Sequence, residues 1–126
     1  MNNRLWNCKN PHQGDRKKVL CVCSAGLLRS PTAAWILSNE PFGFNTRAVG
    51  LDTGHALVPI DSILLTWADE IVCMDNVQKH EIEQIMVRFF IKNKPVHNLN
   101  VMDAFGFRDS ELINLLSTKL LNIFGE

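Results

Sequence analysis

The sequence predicts an α/β fold in which a four-stranded parallel sheet carries helices on both faces. Two observations lead to this prediction. Short apolar segments typical of buried strands alternate with segments of helical periodicity along the chain. The first apolar segment, Val19–Cys23, is uninterrupted, as expected of a central strand covered on both faces. The length of 126 residues suits one domain, which we place at 18–126 after a flexible polar extension at 1–17.

Local signals define the elements of the first half. Ser30 and Pro31 fit the cap and first turn of a helix, which predicts a helix from about Pro31 to Ser38. In Phe44–Val49, apolar and polar residues alternate well enough to predict the second strand. Asp61–Trp67 follows a loop that contains glycine and proline, and it predicts a short helix.

The second half continues the alternation. Glu70–Met74 predicts a third strand, and Pro95–Val101 predicts a fourth. Asp75 or Asn76 is expected to cap the helix between them. In that helix the apolar residues at helical spacing are Val77, Ile82, Ile85, Met86 and Phe89.

A loop at 102–108 precedes the last predicted helix. Asp109 or Ser110 is expected to cap this helix. Its predicted apolar face consists of Leu112, Ile113, Leu115, Leu116, Leu120 and Ile123.

Charge and hydropathy argue against several classes of function, although a local basic site stays open. Thirteen basic residues balance thirteen acidic ones, so no overall charge favours nucleic acid or an anionic membrane as a partner. No apolar run approaches the ~20 residues of a membrane-spanning helix. The N-terminus lacks the apolar core of a signal peptide, and we therefore expect a cytoplasmic protein.

The cysteine and histidine pattern does not favour a metal site. The four cysteines are Cys8, Cys21, Cys23 and Cys73. They form one Cys-x-Cys pair and no second closely spaced ligand pair, and the four histidines are scattered. We expect Cys21 and Cys73 to be buried core residues.

The segment from Cys23 to Ser30 is the candidate site, because parallel α/β folds bind ligands beyond the carboxyl ends of their strands. Five residues separate Cys23, at a strand end, from Arg29, just before the predicted helix. The helix terminus and the intervening N–H groups can bind an anion, and Arg29 can bind two phosphate oxygens. In this positive environment Cys23 can ionise to a nucleophilic thiolate. Ser30 can donate its hydroxyl to the sulfur.

The sequence over 19–34, Val-Leu-Cys-Val-Cys-Ser-Ala-Gly-Leu-Leu-Arg-Ser-Pro-Thr-Ala-Ala, resembles the phosphate loop of low-molecular-weight protein tyrosine phosphatases. The resemblance continues at Arg47–Gly50 and at Trp67–Asp75, and it covers roughly 18–124. It implies a three-layer sandwich, a phosphocysteine intermediate and no metal or other cofactor. The implied phosphate-binding residues, besides Arg29, are Ser24, Ala25, Gly26, Leu27 and Leu28.

The chain departs from the family pattern within this loop. Leu28 stands where the family usually has a second cysteine, so protection of the nucleophile by a disulfide at that position is not expected. Gly26 stands where the family usually has asparagine, and glycine adopts left-handed backbone conformations at least as easily.

The resemblance also implies an aspartate general acid in a late loop. Asp103 matches by position, after the fourth strand and before the last helix, although Ala104 follows it where the family commonly has proline. Asp109 is the alternative, but it fits a helix cap better. Phe105 and Phe107 are expected to form a wall for an aromatic substrate ring.

The leading prediction is a hydrolase for phosphotyrosine-like monoesters, either on a phosphorylated protein or on a small molecule. A second hypothesis is a phosphate-binding module that has lost turnover and sequesters a phosphorylated partner. An arsenate reductase is less favoured, because that activity needs two close downstream cysteines and only Cys73 lies downstream. The sequence leaves the physiological substrate and the oligomeric state open.

Overall fold

The computed structural model describes residues 16–24, 29–52, 54, 56, 58–101 and 110–125. Within these residues the predicted parallel sheet is confirmed, with the strand order β2-β1-β3-β4. Its strands are β1 at Lys18–Cys23, β2 at Asn45–Gly50, β3 at Glu70–Cys73 and β4 at Val96–Asn98. The apolar segment that contains Cys23 is therefore an inner strand.

Four helices alternate with these strands, as the sequence predicts. They are α1 at Arg29–Ser38, α2 at Ser62–Trp67, α3 at Asn76–Arg88 and α4 at Ser110–Phe124. Side chains of α1 and α4 share one buried cluster with Cys21 and Cys23. Side chains of α2 and α3 share a second cluster with Leu20 and Val22. Because neighbouring strand residues point to opposite faces, these two clusters are the two covered faces of the sheet.

The first helix begins earlier than predicted. It starts at Arg29 and not at Pro31, so Ser30 lies inside the first turn and does not precede it. The Ser30 hydroxyl contacts Cys23 Sγ and the Val49 carbonyl. Ser30, interpreted from the sequence as a helix cap, therefore connects α1 to β1 and β2 through its side chain.

The fourth strand is shorter than the predicted Pro95–Val101. Asn100 has a φ of 55°, in the left-handed region, which ends the extended conformation. Its N–H binds the side-chain oxygen of Asn98 at 2.8 Å, as in a local asparagine turn. The N–H of Val101 nevertheless binds the Met74 carbonyl, which holds the chain beside the sheet.

The apolar residues at helical spacing predict the buried face of α4 better than that of α3. In α4 the buried residues are Leu112, Leu116 and Leu120, with Ile113, Leu115 and Ile123 packed around them. In α3, Ile82 and Met86 are buried, but Val77 is 68% exposed, and Phe89, the residue after the helix, is 53% exposed. The polar Gln78 is buried in α3 although it lies outside the apolar pattern.

A charged cluster lies at the amino end of the sheet. Glu70 binds Lys17 Nζ at 2.6 Å and His97 Nε2 at 2.7 Å. Lys17 Nζ also lies over the rings of Phe44 and Phe124. Cys23 lies at the opposite end of β1, so this cluster is remote from the candidate site.

Among the described residues, no helix has both the length and the apolar character needed to cross a membrane.

Candidate active site

Cys23 occupies the carboxyl end of β1 and is 3% exposed. The backbone around it is held from the neighbouring strand. Leu51 N–H binds the Cys23 carbonyl at 2.9 Å, and Asp52 N–H binds the Ser24 carbonyl at 2.7 Å. These two bonds extend the β1–β2 pairing beyond the strands and fix the direction in which the chain leaves the sheet.

Ser30 lies beside the Cys23 sulfur. Its Oγ is 3.1 Å from Cys23 Sγ and 3.3 Å from the Val49 carbonyl oxygen. A hydroxyl has one hydrogen but can also accept. A Cys23 thiol can therefore donate to Ser30 while Ser30 donates to Val49, whereas a thiolate can only accept the Ser30 hydrogen. The geometry serves both protonation states of the sulfur.

Arg29 begins α1 and is 4% exposed. Its Nη1 donates to the Val101 carbonyl oxygen at 2.7 Å. Val101 is held in turn by the bond from its N–H to the Met74 carbonyl. The guanidinium is thereby oriented by the backbone that follows β4.

Gln78 is a buried polar residue at the site that the sequence prediction missed. It lies in the first turn of α3, where the Asp75 side chain caps the helix by accepting from Gln78 N–H at 2.8 Å. The Gln78 side chain accepts from Met74 N–H at 2.7 Å and donates to Ser24 Oγ at 3.2 Å. The spacing Asp-x-x-Gln is a capping-box signal that could have drawn attention to it.

A cleft of about 290 Å³ opens next to Ser24. The opposite side is formed by the start of α3 and by the residues after β2. Its lining residues are Ser24, Leu51, Asp52, Asp75, Val77, Gln78 and Glu81. The cleft is therefore continuous with the residue that follows Cys23.

Several predicted site residues lie outside the described part of the chain. These are Ala25, Gly26, Leu27, Leu28, Asp103, Phe105 and Phe107, together with the alternative acid Asp109. Of the remaining predicted residues, Cys23 and Ser30 are in direct contact. Ser24 follows Cys23, and Arg29 precedes Ser30 in the same helical turn.

The other described cysteines are buried, as predicted. Cys21 packs on the same face of the sheet as Cys23, two residues earlier in β1. Cys73 packs on the opposite face. Burial raises the pKa of the Cys73 thiol to about 11, so this thiol is protonated at neutral pH.

Comparison with known proteins supports the fold. No protein-family model matches the sequence, and no curated protein matches it significantly. Among solved structures, a crystal structure of a YwlE mutant from Bacillus subtilis is similar, with a TM-score of 0.62 and 22% sequence identity. The match covers 87% of this chain and 99% of the YwlE chain.

The fold is that of the low-molecular-weight phosphatase and arsenate reductase class, to which YwlE belongs. This likeness agrees with the family that the sequence over 19–34 resembles. At this level of identity the comparison establishes the fold, and the chemistry has to be argued from the residues of the site.

Proposed function

We propose that this protein is a cysteine-dependent phosphomonoester hydrolase of the protein tyrosine phosphatase type. The observation that carries the proposal is the contact between Cys23 Sγ and Ser30 Oγ. It joins a cysteine at the end of an inner strand to the helical turn that contains Arg29. A thiol, a hydroxyl donor and an anion-binding guanidinium are the groups that phosphoryl transfer to sulfur requires.

In the first step of the proposed reaction, the Cys23 thiolate attacks the phosphorus atom. The sulfur–phosphorus bond forms as the bond to the leaving oxygen breaks. Asp103 gives its proton to that oxygen, which leaves as an alcohol or phenol. Arg29 and the N–H groups of residues 24–28 bind the phosphoryl oxygens in this proposal.

In the second step, water attacks the phosphorus of phosphocysteine. Asp103, now ionised, accepts the proton of the water, and the sulfur leaves as a thiolate. Ser30 donates to the departing sulfur, as the 3.1 Å contact allows. Inorganic phosphate is released, and Asp103 is protonated again for the next cycle.

The position of Cys73 argues against the arsenate reductase alternative. That chemistry passes a disulfide between cysteines that lie close together. Cys73, the only cysteine after Cys23 in the sequence, is buried on the other face of the sheet. Its raised pKa also makes it a poor nucleophile.

The test is release of inorganic phosphate from a chromogenic aryl phosphate, in the presence of a metal chelator, by the wild type and by Cys23→Ser. We expect turnover by the wild type and none by Cys23→Ser, because a serine hydroxyl does not ionise enough to replace the thiolate. Phosphate binding is the second readout. Retained binding without turnover in the wild type would instead support the phosphate-binding module.

A further inference from the structure

We propose that Gln78 is a positioning residue for the phosphate-binding loop and acts through Ser24. This inference rests on the proposed function and extends it to a residue on a different helix. Gln78 is 3% exposed, and its side chain reaches from α3 to the residue that follows Cys23. The sequence places these residues 54 positions apart.

The hydrogen bonds of Gln78 determine the orientation of its amide. Met74 N–H can only donate, so the group facing it at 2.7 Å is the amide oxygen. The amide nitrogen then faces Ser24 Oγ at 3.2 Å and donates to it. Ser24 accepts at this contact and keeps its own hydrogen for another acceptor. A bound phosphate oxygen is an acceptor of the kind the proposed function brings to this loop.

Gln78 completes the attachment of the first loop residues. Leu51 and Asp52 hold the Cys23 and Ser24 carbonyls from the β2 side through backbone N–H groups. Gln78 holds the Ser24 hydroxyl from the β3 side through a side chain. Of these three attachments, the Gln78 contact is the one that a substitution can remove directly.

The Asp75 cap explains why Gln78 can serve this purpose. Asp75 binds Gln78 N–H at 2.8 Å and so fixes the backbone of the first turn of α3. In a capping box, the side chain at this position binds back to the N–H of the cap residue. Here the Gln78 oxygen instead binds the N–H of Met74, the residue before the cap, and the Gln78 nitrogen is directed to Ser24.

The experiment compares Gln78→Met and Gln78→Glu with the wild type. Gln84→Met is the matched control, because Gln84 is exposed on the same helix and contacts His80. Measurements are kcat and KM for an aryl phosphate, the inhibition constant of inorganic phosphate, and the pH profile of Cys23 alkylation by iodoacetate. Ser24→Ala and the double variant Ser24→Ala/Gln78→Met test whether the effect passes through Ser24.

We expect Gln78→Met to weaken phosphate inhibition and kcat/KM by about 3- to 10-fold, the scale of one hydrogen bond. Gln78→Glu keeps an acceptor for Met74 but takes the Ser24 hydrogen and adds negative charge. Its losses should therefore be larger, and alkylation of Cys23 should shift to higher pH. Because Ser24→Ala already removes the contact between Gln78 and Ser24, adding Gln78→Met to Ser24→Ala should cost less than Gln78→Met costs in the wild type.

The inference is overturned if Gln78→Met behaves like Gln84→Met, or if its loss adds fully to that of Ser24→Ala. If Gln78→Met fails to fold, Gln78→Glu provides the test. Phosphate inhibition of Gln78→Glu equal to that of the wild type then overturns the inference. The wild type separates the two proposals. If it neither hydrolyses aryl phosphates nor binds phosphate, both fail. If the wild type hydrolyses aryl phosphates and the Gln78 variants have the same kinetics and phosphate inhibition, only the role of Gln78 fails.

Discussion

The guanidinium of Arg29 donates a hydrogen bond to the backbone carbonyl of Val101, with a distance of 2.7 Å between Nη1 and the oxygen. This bond joins the start of α1 to Val101, which lies two positions before Asp103 in the sequence. The two residues are 72 positions apart in the chain. The proposed phosphate-binding arginine is thus oriented by a backbone carbonyl that is close in the sequence to the proposed general acid.

Arg29→Lys should lower kcat/KM by about 10²-fold or more, the scale of losing a preorganised donor to transition-state charge. A lysine ammonium cannot bond Val101 and also bind two phosphate oxygens in parallel. The measurement is steady-state hydrolysis of an aryl phosphate, with Arg88→Lys on the exposed end of α3 as the control. Wild-type kinetics in Arg29→Lys would remove Arg29 from the site.

Ser30→Ala should make Cys23 alkylation by iodoacetate require a higher pH and should slow turnover by about tenfold. The reason is the loss of the hydrogen bond that stabilises the thiolate, which is worth about 1.5–3 kcal/mol as a bond to a charged group. Ser38→Ala is the control, because Ser38 also bonds a backbone carbonyl in α1 but lies at its other end. An unchanged alkylation profile in Ser30→Ala would contradict the role of Ser30.

Asp103→Asn should slow hydrolysis of phosphotyrosine far more than that of an activated aryl phosphate. Tyrosine, with a pKa near ~10, needs a proton to leave, whereas a phenol of low pKa does not. General acid catalysis contributes about 10²–10⁴-fold, and the basic limb of the rate profile should weaken in the variant. Both substrates are measured across pH. Equal losses of activity on both substrates, with an unchanged pH–rate profile, would contradict the role of Asp103 as general acid. Asp109 would then be tested in that role as Asp109→Asn.

The cluster around Glu70 predicts a pH-dependent contribution to stability. Burial alone would raise the pKa of Glu70, but hydrogen bonds and charge from Lys17 and His97 lower it below the ordinary 4.5. The ionised form is therefore favoured in the folded state. Its contribution is present above pH 4.5 and is lost as the pH falls through the lowered pKa.

Glu70→Gln should accordingly reduce the free energy of unfolding at pH 7 by about 1 kcal/mol, a modest value because Lys17 is partly exposed. The difference from wild type should shrink on acidification below the pH at which Glu70 protonates. Denaturant unfolding at several pH values measures this, with activity as an independent readout, since the cluster is remote from Cys23. A difference that stays constant from pH 7 to strongly acidic pH contradicts the assignment.

The elements with strong local signals were predictable from the sequence. The uninterrupted apolar segment gives β1, and Asp75 caps α3 as expected. Contacts that depend on strand order were not predictable. Gln78 reaches Ser24 because β3 lies next to β1, and Arg29 reaches Val101 because Asn100 turns the chain after β4. Neither contact leaves a local pattern in the sequence.

The most direct test of the account is detection of phosphate on the sulfur of Cys23 during turnover. The wild type is mixed with an activated aryl phosphate, denatured within the first turnovers at neutral pH, and analysed by peptide mass spectrometry. The proposed mechanism predicts one phosphoryl group on the Cys23 peptide of the wild type and none in Cys23→Ser. Turnover with no phosphoryl group on Cys23, or turnover that persists in Cys23→Ser, would contradict the proposed mechanism.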